Sequence, residues 1–249
     1  MSGKVFLAGA AGAVGAALTP LLVESGYEVY GTTRRLERMD AIRAAGARPV
    51  LVDIFDRERL ANAIDCIAPM IVVHQLTDLP PGLDPTRMSD AVSRNARIRG
   101  EGTANLVSAA LAAGCECVVA QSIAWAYAAG AKPYTESQPL DLGSEGARAV
   151  TVVGVAALER WVLGVNETGG VGTVLRYGNL YGPGTGRDTP QGASPLHVEA
   201  AAWAALLAVQ HMKGGAFNVA EDEAEVTSEK AKREFGWLPD MRLPAQAAQ

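Results

Sequence analysis

Short, nearly continuous apolar runs alternate along the chain with longer stretches in which apolar residues recur every three or four positions. The runs at 4–8, 28–32, 49–52, 70–74, 116–121 and 172–177 predict strands. Most lack an in–out alternation, the pattern of strands covered on both faces of a parallel sheet. The stretches 13–25, 36–45, 57–67, 87–113 and 147–165 predict helices, and Gly26, Gly46 and Gly114 stand where three of them should stop. Strand and helix in turn give an α/β fold, a Rossmann-type doubly wound parallel sheet with right-handed crossovers.

Beyond Tyr177 the pattern changes. Gly182-Pro183-Gly184 and residues 186–195 read as a turn-rich loop, followed by a helix over 199–210, a short strand over 216–219 and a charged tail. The expected organisation is therefore a core over 1–177 and a reduced C-terminal substrate lobe over 178–249. Part of that lobe returns to the core, and the last residues, 244–249, are expected to fray.

The chain has 249 residues, enough to bury a sizeable core, and a formal net charge of −5 that argues against a nucleic-acid partner. No uninterrupted apolar run reaches the roughly 18 residues of a membrane span. Lys4 and the small-residue run behind it resemble a secretory leader, but they also begin the strand–helix series, which favours a buried strand, a turn and a helix. Cys66, Cys115 and Cys117 are too few for a disulfide scaffold and suggest a reducing, cytoplasmic setting. Cys115 and Cys117 are expected to point the same way from one strand, and no metal-ligand cluster accompanies them.

The first turn carries the chemistry. Gly9-Ala10-Ala11-Gly12-Ala13-Val14-Gly15 lies between the first strand and the first helix. Such a turn lets backbone approach a pyrophosphate and presents the unpaired N–H groups of a helix start to it. At the end of the second strand, Gly31-Thr32-Thr33-Arg34-Arg35 has no carboxylate to accept a ribose 2′-hydroxyl. Arg34 instead suits a 2′-phosphate, so NADP(H) is expected and NAD(H) is the alternative. Asp53 ends the third strand, where it either accepts from the adenine amino group or caps the next helix. His74, at the end of the fourth, is read as a packed core residue without chemistry.

Together with Val73-His74, Gly102-Thr103-Ala104-Asn105-Leu106, Val119-Ala120-Gln121-Ser122, the run Leu175-Arg176-Tyr177-Gly178-Asn179-Leu180-Tyr181-Gly182-Pro183-Gly184 and His197-Val198-Glu199, these motifs resemble the NAD-dependent epimerase/dehydratase branch of the short-chain dehydrogenase/reductase superfamily. The tail Phe235-Gly236-Trp237-Leu238-Pro239 is similar to that branch's ending. The resemblance implies that Gly9, Gly12, Ala13 and Val14 line the pyrophosphate. It puts Asp53 and Ile54 at the adenine, Leu76 at the adenosine ribose and Tyr177 at the nicotinamide. Ser122 would hold the reacting oxygen, Tyr134 and Asn179 are candidate substrate contacts, and a homodimer is the implied assembly.

Two departures stand out. The family's Tyr-x-x-x-Lys pair, in which lysine lowers a phenol's pKa toward neutrality, is missing: Thr151 and Val155 occupy those positions. Either another tyrosine supplies the proton, Tyr127 or Tyr134 with Lys132 between them, or the reaction needs no strong acid, as with a cationic iminium, or there is no turnover. The second departure is the short connection over 187–194, which suits a smaller substrate than a nucleotide sugar. The expected function is an NAD(P)-dependent oxidoreductase acting on a small carbonyl, hydroxyl or imine compound. The alternatives are a non-catalytic NADP(H)-binding regulator and a nucleotide-sugar epimerase or dehydratase.

Overall fold

The computed structural model describes residues 3–80, 84–222 and 224–244. Of the tail expected to fray, 245–249 lie outside the described residues. Seven parallel strands form one sheet: β1 (Lys4–Ala8), β2 (Glu28–Thr33), β3 (Arg48–Leu51), β4 (Ile71–His74), β5 (Cys117–Ile123), β6 (Val171–Tyr177) and β9 (Gly215–Val219). Their spatial order is β3-β2-β1-β4-β5-β6-β9. The chain thus winds outward from β1 in one direction and, from β4, in the other. The crevice between the carboxyl ends of β1 and β4 is the switch point where such sheets bind ligands. A small parallel pair, β7 (Asn179–Tyr181) and β8 (Pro195–His197), stands apart and flanks the expected turn-rich loop.

Helices cover both faces, as the strand composition requires. Val5, Leu7, Val73, Cys117 and Val119 pack beneath α1 (Ala13–Glu24), α2 (Met39–Ala44), α7 (Val198–His211) and α8 (Glu229–Phe235). Phe6, Val72, Val118 and Ala120 point the other way, under α3 (Arg57–Ile67), α5 (Thr103–Ala112) and α6 (Gly146–Gly164). Successive strand residues go to opposite faces, so each core is fed by alternate positions of the same runs. α7 presents buried alanines at 200, 201, 202, 204, 205 and 208, small enough to let it lie close against α1. The tail is tied to that helix by Trp237, fully buried, whose indole N–H donates to the Ala200 carbonyl at 2.8 Å.

Two expectations about local structure change. Cys115 precedes β5 and packs in the α3/α5/α6 core, whereas Cys117 faces α1 and α7. The strand starts only at Cys117, so its alternation does not extend back to Cys115. The helix expected over 87–113 is α4 (Met88–Arg97), one π-helical turn (Ile98–Gly102) and α5. Gly100 and Gly102, two poor helix formers inside the periodic pattern, fall in that turn. α6 is long and apolar enough to cross a membrane by composition alone, but it packs on β5, β6 and α4.

Candidate functional site

The glycine turn is built by close backbone contacts. Gly9 has φ +95°, and a Cβ there would lie 2.7 Å from the Gln75 carbonyl oxygen after β4. Gly15 lets the first turn of α1 sit on the loop, since its Cβ would fall 2.1 Å from the Gly9 oxygen. Gly12 is the N-cap of α1 and brings no side-chain cap. The first N–H groups of that helix therefore have no side-chain acceptor at their head and stand at a cleft of about 710 Å³ lined by Gly9, Gly12, Ala13 and Val14. Gln75, almost fully buried in the same cleft, has an Oε1 with no donor, the one such buried side-chain atom among the described residues. A cradle held open by glycine and an orphan acceptor fit an extended dinucleotide.

At one end of the cleft stand the groups expected to hold adenosine. Asp53 Oδ1 accepts from the Phe55 N–H at 2.9 Å, and its backbone carbonyl accepts from Asp56 N. The cap of α3 is Asp56, accepting from Arg59 N at 3.1 Å, which leaves Asp53 free of that duty at the cleft wall. Ile54 and Leu76 line the same wall, and the Ile54 carbonyl is tied to Asn105 at 3.1 Å. His74 Nδ1 accepts from Leu76 N, so its proton sits on Nε2, facing Thr103 Oγ1 at 3.1 Å. Burial, with the charge of Arg99 added, pulls its pKa down to about 4 and keeps the ring neutral. Arg34 lines the cleft with Arg35 and Arg38. Its guanidinium meets Asp78 at 3.2 Å, an acid that Arg94 also contacts at 3.2 Å.

The other end is organised differently. Ser122 borders the cleft, but its hydroxyl donates to Glu159 Oε1 on α6 at 2.8 Å. Glu159 in turn holds Arg176 of β6 in a two-pronged pair at 2.9 and 2.7 Å, both side chains withdrawn from solvent. Burial works against the arginine's charge, yet the bonds to Glu159 outweigh it and hold its pKa above the usual value. Arg176 donates onward to the Tyr127 hydroxyl at 2.8 Å, and that hydroxyl donates to Asn218 Oδ1 at 2.5 Å.

Tyr127, expected as a proton donor, does not line the cleft. Its hydroxyl is inside the network, committed to buried partners, and burial raises its pKa despite the nearby Arg176. Lys132 pairs with Glu225 and does not assist it. Thr151 returns its hydroxyl to the Ala147 carbonyl and Val155 is fully buried; neither lines the cleft. Tyr177 does line it, donating to the Ala201 carbonyl at 3.0 Å.

A second cavity of about 360 Å³ adjoins this end, sharing Trp125 and Asn179 with the cleft. Tyr134 lies on its wall, its ring 5.5 Å from that of Tyr127. The cavity brings together the two residues expected to meet substrate, Tyr134 and Asn179. Sequence reasoning missed Trp125, Gln75 and Glu159 as site residues. A tryptophan three residues beyond Ser122 was the available signal for the first; the others become visible only through contacts distant in sequence.

Comparison with known proteins agrees with this geometry. The family model described as NAD dependent epimerase/dehydratase family matches residues 5–241. A Streptomyces sp. protein named 3-diazoavenalumate denitrifying reductase is 39% identical over 270 aligned positions, covering 98% of this chain and 86% of that protein. The fold is also similar to the UDP-glucose 4-epimerase of Thermotoga maritima, at TM-score 0.76 and 17% identity, over 96% of this chain and 94% of that one. The Thermus thermophilus UDP-glucose 4-epimerase in complex with NAD gives TM-score 0.77 and 19% identity, over 96% and 95%.

Proposed function

The chain belongs to the NAD-dependent epimerase/dehydratase family, and on that premise we propose that it is a nicotinamide-dependent reductase whose substrate is an already cationic nitrogen electrophile of the arenediazonium kind. One observation carries this reading. Among the described residues, none of the expected proton donors faces the cleft with a free hydroxyl: the Ser122 proton is held by Glu159, Tyr127 is interior, Thr151 and Val155 are turned away, and Tyr134, whose hydroxyl accepts from the Gly130 N–H, stands in the adjoining cavity. Carbonyl reduction must place a proton on oxygen, and general acids contribute about 10²–10⁴-fold to such steps. A diazonium group has no such need. Hydride on its terminal nitrogen gives a neutral diazene; breaking the C–N bond releases N₂ and leaves that hydrogen on the ring carbon. The name of the Streptomyces relative, a denitrifying reductase of a diazo compound, supports the same chemistry.

The bound dinucleotide supplies the hydride. The protein's part is position and dryness. The uncapped start of α1 receives the pyrophosphate, Asp53 and Ile54 border adenine, and Gln75 and Tyr177 bound the nicotinamide end. Ser122 keeps its lone pairs for the substrate because its proton is already directed at Glu159. Trp125 and Tyr134 offer flat faces to an aromatic ring in the adjoining cavity.

For the cofactor we infer NADP(H) over NAD(H). Opening the exposed Arg34–Asp78 pair costs about 1 kcal/mol or less. A charge-assisted bond from arginine to phosphate returns about 1.5–3 kcal/mol. Three free thiols and a demand for reduced nicotinamide suit a cytoplasmic setting.

The test is turnover of a benzenediazonium salt with NADPH, with benzene and N₂ followed by mass spectrometry and the protein-free rate subtracted. Protein-dependent benzene equal to NADPH consumed is expected. Reduction of aldehydes or ketones alone would overturn the reading, and tight NADPH binding without any turnover would favour a regulator.

A further inference from the structure

Among the described residues two carboxylates line the cleft, Asp53 and Asp78. Asp53 is engaged by the Phe55 N–H. Asp78 stands between two arginines: its Oδ2 takes both Arg34 Nη2 and Arg94 Nε, each at 3.2 Å. The two differ in place. Arg34 follows β2 and lines the cleft, whereas Arg94 lies on α4 and reaches Asp78 from outside that lining. Asp78 itself is anchored on the α4 side. Asn95, buried and next to Arg94 in the chain, accepts from the Asp78 N–H at 3.0 Å and donates to its carbonyl at 3.3 Å. The same side-chain amide holds the Ala91 carbonyl of α4 at 2.8 Å. The Arg34–Asp78 pair thus joins segments that leave the sheet on either side of β1, whose carboxyl end opens into the glycine turn.

A ribose 2′-phosphate would bring up to about two negative charges to Arg34. A two-pronged bond to it needs both ends of the guanidinium fork, and one end is on Asp78. The carboxylate must therefore give Arg34 up. It does not follow, because Asn95 ties its backbone to α4, and it is not left uncompensated, because Arg94 stays on the same oxygen. A dinucleotide without the 2′-phosphate makes no such demand and leaves the pair closed. A reductase that spends NADPH must also release NADP⁺ after every turnover, and a carboxylate waiting for Arg34 speeds that exit. Resting on the cofactor reading above, we propose that Asp78 is a resident competitor for the 2′-phosphate subsite. Arg94, which does not line the cleft, is the positioning residue that lets Asp78 yield.

The experiment measures NADPH and NADH affinity by nucleotide fluorescence at one salt concentration, and NADP⁺ dissociation by stopped-flow exchange against NADPH. The proteins are wild type, Asp78→Asn, Asp78→Ala, Arg94→Gln, the Asp78→Asn/Arg94→Gln double variant and Arg34→Ala. Both Asp78 variants should bind NADPH about fivefold more tightly, the scale of an exposed ion pair, and release NADP⁺ correspondingly more slowly. Arg94→Gln should weaken NADPH about threefold, and the double variant should show no such loss relative to Asp78→Asn. NADH affinity should stay within about twofold throughout, which also shows that each variant is folded. An Arg94→Gln loss that persists without the Asp78 charge is the general field of a deleted cation and overturns the proposal. So does an NADPH-to-NADH ratio that Arg34→Ala lowers and neither Asp78 variant raises. Equal weakening of both nucleotides in Arg34→Ala would instead remove the 2′-phosphate reading itself, and the competitor with it.

Discussion

The two ends of the cleft are held by different means. The adenosine and phosphate end is made of backbone: glycine contacts, an uncapped helix start and an Asx turn at Asp53. The reaction end is made of long side chains locked into one another, Ser122 to Glu159 to Arg176 to Tyr127 to Asn218. Backbone geometry tolerates variation around it and recognises what all dinucleotides share. A side-chain network is specific to one arrangement, and here it has absorbed the hydroxyls that would otherwise face a substrate. The difference teaches that binding and chemistry in this fold can change separately.

Substitutions should expose that separation. The largest effect is expected from Glu159→Leu, which strands the Arg176 charge in the interior. Breaking such a pair costs about 3–5 kcal/mol, to be read as a lowered urea midpoint, and adding Arg176→Met should recover much of the loss. His74 comes next. Its folded pKa of about 4 lies below the unfolded value of 6.5, so its contribution is complete above pH 6.5. It is lost as pH falls toward 4, when the unfolded chain alone takes up the proton. The span amounts to about 3 kcal/mol, and His74→Asn should flatten urea stability between those two pH values.

Gly9→Ala attacks the backbone end. The left-handed φ and the Cβ contact with Gln75 should remove about 2 kcal/mol and abolish NADPH fluorescence binding while leaving the Glu159–Arg176 network intact. Smallest is Arg34→Ala, for which NADPH affinity should drop about tenfold, or 1.4 kcal/mol, with NADH within twofold. Equal losses for both nucleotides would remove the 2′-phosphate assignment.

How much of this was readable beforehand follows the same divide. Strands such as Ile71–His74 are buried on both faces, and their apolar runs announce them within a residue or two. The glycine turn is local, seven residues that carry their own geometry. The Ser122–Glu159 bond spans 37 positions and Arg176–Tyr127 spans 49, so neither leaves a local trace. Arg97 and Arg99 look alike in the chain; only the π-turn and the course of α4 leave one paired with Glu101 and the other without an ion pair among the described residues. β7 and β8 were hidden because each is three residues long and they pair across a turn-rich stretch.

The outermost strand, β9, is also the last to leave the ribosome. Until residues 215–219 emerge, β6 is an open edge, and unpaired edges invite aggregation. Arg176 belongs to that edge strand and Asn218 to the strand that covers it. The nascent chain therefore assembles the polar network beside Ser122 in the same event that covers β6 with the last strand of its sheet.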